Sequence, residues 1–186
     1  MKLLILLFSI LLFNNSYGET LLISHEEACS KIGPNLFHKH QFSEVPNGIN
    51  FGFKKNCVIG KIILPQQIEG KKYLVFDLQH IKNLDLFYYN KNKKLVRLKA
   101  GSKVKSSDRN NPYFRPTFSI NTSSIKDKTL YFQVKNVGTI RVNYSLLDQE
   151  NFMKQKWMEL TFFITFFGII FSMIFQNLFF FVISKS

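Results

Sequence analysis

The chain has 186 residues, with 25 Lys and Arg against 12 Asp and Glu and a formal net charge of +13. Its mean hydropathy of −0.02 averages a polar middle with two apolar ends, so one exported domain with membrane accessories fits better than a uniformly soluble chain. The basic balance does not make a nucleic-acid surface. The lysines are dispersed, at Lys54 and Lys55, Lys71 and Lys72, residues 91–94 and Lys126 and Lys128, and an exported chain seldom meets nucleic acid.

Met1 and Lys2 form a short positive start, and residues 3–13 (LLILLFSILLF) an unbroken apolar core. Ser16 and Gly18 then place small residues where a leader peptidase needs them. This is the layout of a secretory signal peptide over residues 1–18. An uncleaved anchor is the weaker alternative, because the core falls short of the ~20 residues that span a bilayer.

Residues 19–150 are expected to form one extracytoplasmic domain. Ser24, His25, Glu26 and Glu27 could cap a short helix through residues 28–31. From Val58 onward, apolar runs alternate with turn signals. Residues 58–64 are one run, closed by Pro65. Residues 73–78 follow, with Leu74, Phe76 and Leu78 on one face. Residues 84–89 place Leu84, Leu86 and Tyr88 together, residues 90–92 (NKN) make a turn, and residues 95–98 return. Residues 113–120 contain Pro116, which fits an edge or a bulge. Leu130, Phe132 and Val134 alternate, and so do Ile140, Val142, Tyr144 and Leu146. Period-two alternation at this spacing predicts an all-β, jelly-roll-like antiparallel sandwich.

Residues 151–159 read as a juxtamembrane junction. Residues 160–183 carry no charge and predict a transmembrane helix, with Trp157 at interfacial depth and a cytoplasmic stub at 184–186. Gln176 and Asn177 are adjacent amides in this span. They call for contacts with other transmembrane helices, or else for a place near the inner interface.

Few residues offer chemistry. Cys29 and Cys57 are the two cysteines and could form one disulfide or stay as thiols. His38 and His40 lack a third ligand nearby in sequence, so no metal and no cofactor is expected. No phosphate loop, HExxH or GxSxG is present, so an enzyme is not expected. Asp77, Asp85, Asp108 and Asp127 would have to pair in space for an anchored glycan hydrolase, the least favoured alternative. The most polar stretch is residues 101–115 (GSKVKSSDRNNPYFR). Its Asp108, Arg109, Asn111, Tyr113 and Arg115 combine charge, amide and ring in the way a site for a sugar or small polar ligand requires.

In this order, leader, sandwich and span resemble the front of the bacterial seven-transmembrane receptors with diverse intracellular signalling modules, with their type 2 extracellular domain (7TMR-DISM). Residues 50–53 (NFGF) and 58–62 (VIGKI) are similar to the family's first core strand. Residues 84–89 (LDLFYY) and 130–134 (LYFQV) look like two later strands. Ala100, Gly101 and Ser102 stand where the family often has Thr-Gly-Asp, and Tyr113 and Phe114 where His-Arg is common. Asp108, Arg109, Pro112 and Phe118 match the loop and strand between. Gly168 and residues 176–181 (QNLFFF) resemble the first receptor helix. The resemblance implies a jelly-roll sensor for a carbohydrate-like or other small ligand in a bacterial inner membrane, followed by further helices and an output module. On that basis the chain is expected to be the front end of a longer receptor, with a complete single-pass adhesion or binding protein as the alternative.

Overall fold

The computed structural model describes residues 19–24, 43–44, 49–54, 57–77, 81–136 and 138–184, with the backbone path alone at 19–24, 43–44, 49–54, 57 and 138–139. The leader, the expected helix beyond Ser24, all four histidines and Cys29 lie outside them.

Eleven strands are described. They are β1 (Glu19–Ser24), β2 (Ser43–Glu44), β3 (Ile49–Lys54), β4 (Cys57–Ile63), β5 (Lys71–Phe76) and β6 (Asn83–Tyr89), then β7 (Leu95–Ala100), β8 (Thr117–Asn121), β9 (Thr129–Lys135), β10 (Gly138–Val142) and β11 (Tyr144–Leu147). One helix, α1 (Gln149–Ser184), follows. The six-stranded sheet runs β2-β1-β4-β9-β6-β7, antiparallel throughout. The opposite layer is built from β11-β5-β8 and β10-β3.

Periodicity explains the layers. In β4, β6 and β9 the alternate residues Val58, Ile62, Leu84, Leu86, Leu130, Phe132 and Val134 are all fully or nearly fully buried. They meet Leu74 and Phe76 of β5, Phe118 and Ile120 of β8, and residues of β10 and β11 in one core. Phe76 is its hub. Its ring lies 5.4 Å from Phe132 of the other layer, 6.1 Å from Phe118 and 6.0 Å from Tyr144. Each fully buried Leu, Ile or Phe contributes about 1.5–3 kcal/mol. By contrast, Arg97 and Asp85 pair at 3.0 Å on the outer face with the Arg97 side chain 53% exposed, an arrangement worth on the order of 0–1 kcal/mol. Apolar layering therefore holds the sandwich, and surface charge trims it.

Three local features depart from the sequence reading. Residues 113–116 are not strand, and β8 begins one residue after Pro116, at the edge of its sheet. Proline has no N–H for a ladder, and here its carbonyl accepts from Phe76 N at 2.9 Å. The single alternating run of residues 140–146 belongs to two ladders. β10 pairs with β3, β11 pairs with β5, and between them the Asn143 carbonyl accepts from Asp77 N at 2.9 Å. Finally, β1, β2 and β3 precede the first run recognised by periodicity at Val58. β1 (ETLLIS) has three apolar residues in a row, and β2 is two residues long, too short to show a period.

The predicted turn after β6 is present. Asn90 closes it twice, with its side-chain Oδ1 accepting from Lys94 N at 2.8 Å and its carbonyl accepting from Lys93 N at 2.9 Å.

The chain divides into two compact units between Asp148 and Gln149. The second is α1, 36 residues or about 54 Å at 1.5 Å per residue. It is long and apolar enough to cross a membrane. Its backbone bonds are satisfied internally, as hydrocarbon surroundings demand. Phe162, Phe166, Phe171, Phe175 and Phe179 are exposed along it. The expected junction, 151–159, is the helical beginning of this same element. Asp148, immediately before it, is a residue type favoured at a helix start.

Candidate functional site

The loop joining β7 to β8 begins at Gly101, whose φ of 113° only glycine adopts readily. A Cβ there would lie 2.6 Å from the Lys82 carbonyl oxygen. This close approach lets Ser102 N donate to the Ile81 carbonyl at 2.8 Å and Lys103 N to the Lys82 carbonyl at 3.0 Å. The loop is thereby bound to the segment leading into β6. A 3-10 turn, Ser106–Asp108, then reverses it. Asn110 ties the far side: its N–H donates to the Lys99 carbonyl at 3.3 Å, and its Oδ1 accepts from Ser119 N of β8.

These ties shape a cavity of about 190 Å³. Ile81, Ala100 and Pro116 supply apolar surface, and Gly101 and Ser102 the start of the loop. The remaining lining is Arg109, Asn111, Tyr113 and Phe114. Arg109 is half-buried, and its Nε donates to the Val104 carbonyl at 3.0 Å. Asn111 Oδ1 accepts from Tyr113 N at 3.2 Å, a local turn that positions both side chains. Tyr113 is buried, Phe114 is 54% exposed, and their ring centres are 4.6 Å apart.

Of the five ligand residues expected from sequence, Arg109, Asn111 and Tyr113 come together at this cavity. Asp108 is exposed and accepts from the Ser107 hydroxyl at 3.1 Å. Arg115 is directed to Asp77 at 3.5 Å and lies over the Phe114 ring at 5.7 Å. Neither lines the cavity. Sequence reasoning did not select Ile81 or Pro116. A proline just before a strand was the available signal for one, and nothing local marks the other.

Three of the four aspartates considered for hydrolysis are in separate ion pairs. Asp85 pairs with Arg97, Asp77 with Arg115, and Asp127 with Lys126 at 3.7 Å. No carboxylate lines the cavity among the described residues. No cluster of three His, Cys, Asp or Glu that could hold a metal occurs among them either. Cys57 begins β4, and Cys29, with which it could form a disulfide, lies outside the described residues.

A two-layer antiparallel sandwich with a loop-built cavity, followed by a membrane-length apolar helix, defines a membrane-anchored β domain. Residues 25–148 match the family model described as 7TMR-DISM extracellular 2, and the chain belongs to that family. This is a family of extracellular receptor sensor domains, not of enzymes. A search of curated proteins finds no match.

Proposed function

We propose that this chain is the ligand-sensing part of a membrane signal-transduction receptor, lodged in a bacterial inner membrane with its sandwich outside the cytoplasm. The ligand is small and polar, carbohydrate-like, and sits in the 190 Å³ cavity against Arg109, Asn111 and Tyr113. The observation that carries this reading is the family match over residues 25–148, ending one residue before α1 begins.

That continuity also supplies a route for the signal. β11 ends at Leu147, and only Asp148 separates it from α1. A ligand with different affinity for two sandwich conformations would shift the pose of α1, and only by the free energy of that difference. Gln176 and Asn177 would pass the shift on by hydrogen bonding to neighbouring transmembrane helices.

The test is a thermal-shift screen of the full chain in lipid nanodiscs against mono- and disaccharides, followed by titration of any hit. Asn111→Ala and Tyr113→Phe, which keeps the buried ring, should weaken the hit about tenfold while leaving the unliganded melting temperature within a few degrees. A hit that both variants bind as well as the parent chain would remove the cavity from this account.

A further inference from the structure

We infer that the cavity selects a ligand bearing a carboxylate, an acidic monosaccharide rather than a neutral one. This rests on the sensor reading above and narrows it. Of the sandwich's four arginines, Arg141 is exposed on β10 and does not line the cavity, and the other three can be compared. Arg97 gives Nε and Nη2 to the two oxygens of Asp85, at 3.1 and 3.0 Å. Arg115 faces Asp77. Arg109 alone of the three has no acidic partner among the described residues, and it is the one that lines the cavity.

Its geometry is suited to an incoming acid. The bond from Nε to the Val104 carbonyl fixes the plane of the guanidinium and leaves the two Nη amines for a ligand. A planar fork of that kind matches a carboxylate. The group is half-buried, so an acid bound there would offset part of its lost hydration. The surroundings attract anions too. Leaving out Arg115, which Asp77 neutralises, residues 99–115 hold four basic side chains, Lys99, Lys103, Lys105 and Arg109, against the single acid Asp108.

The rest of the lining suits a sugar ring. Phe114 offers an exposed aromatic face, Asn111 an amide and Ser102 a hydroxyl, beside the apolar Ile81 and Pro116. At about 190 Å³ the cavity lies below the ~300–1,000 Å³ of drug-sized sites, which restricts it to one ring or a small acid.

The experiment is calorimetric titration of the full chain in nanodiscs with glucuronate, galacturonate, glucose, galactose and gluconate. At least one uronate should bind roughly ten- to a hundredfold tighter than its neutral sugar, and raised salt should weaken it. Arg109→Gln should erase that preference, lowering uronate affinity about tenfold or more beyond any loss for the neutral sugar, and Arg109→Lys should restore part of it. Because either substitution could disturb the loop, thermal melts serve as the folding control. Gluconate binding as tightly as the uronates would uphold the carboxylate and remove the need for a ring. Neutral sugars binding as well as acids would overturn this inference but leave the sensor reading standing. A preference surviving in Arg109→Gln would overturn the assignment to Arg109. Binding of none of the five would overturn both.

Discussion

Gly101→Ala tests whether the β7–β8 loop depends on a close backbone approach. An alanine Cβ would meet the Lys82 carbonyl oxygen at 2.6 Å, its carbon at 2.9 Å and Asn83 Cα at 3.1 Å. These are backbone atoms, held by the bonds from Ser102 and Lys103, so they cannot swing aside as a side-chain tip would. The backbone angle adds strain, since φ is 113°. Strain of about 1–3 kcal/mol and overpacking of about 1–3 kcal/mol give an expected loss of about 3–4 kcal/mol. For a sandwich of this size that corresponds to roughly 10 °C in melting temperature. Gly70 is the internal control, because it too has positive φ (82°) but nothing within 4 Å of its Cβ position. Gly70→Ala should therefore cost only about 1 kcal/mol, or ~3 °C. Circular dichroism melts of the full chain in detergent would compare the two. Should both variants melt within about 2 °C of each other, the contact with Lys82 is not what demands glycine, and the account of the loop fails.

Three other outcomes are expected. Phe76→Ala removes the ring that joins Phe118, Phe132 and Tyr144, and should cost about 3–5 kcal/mol in urea unfolding, with a loss under 1 kcal/mol contradicting its place as core hub. Burial raises the hydroxyl pKa of Tyr88, and burial, then the charges of Tyr89 and Asp127, raise that of Tyr131, both from the ordinary 10.0. The folded state therefore keeps protons that the unfolded chain gives up, so stability is full below pH 10 and declines as pH rises above it. Tyr88→Phe with Tyr131→Phe should flatten that alkaline decline in denaturant titrations, and an unchanged slope would count against it. Trp157, the single tryptophan, is 61% exposed three residues before the uncharged span, so brominated lipids should quench its emission best when labelled near the headgroups. Strongest quenching from the acyl-chain ends would displace the span.

The sequence by itself determined the elements whose physics is local. Alternation in residues 130–134 and 140–146 specified faces, because successive strand side chains point to opposite sides whatever the partner. An uncharged run of 24 residues specified a membrane-length helix, because lipid rewards apolar side chains and internally bonded backbone. The loop at 101–115 announced its polarity in the same way. Tertiary structure decided what depends on partners distant in sequence. It made the 140–146 run switch ladders at Asn143, where the hydrogen bond comes from Asp77. It brought Arg109, Asn111 and Tyr113 to one cavity while Asp77 drew Arg115 aside. Ile81 joined that cavity only because Gly101 passes so close to Lys82, a contact between residues 19 positions apart. Local pattern cannot encode such contacts, since each is the resultant of two sheets settling on one core.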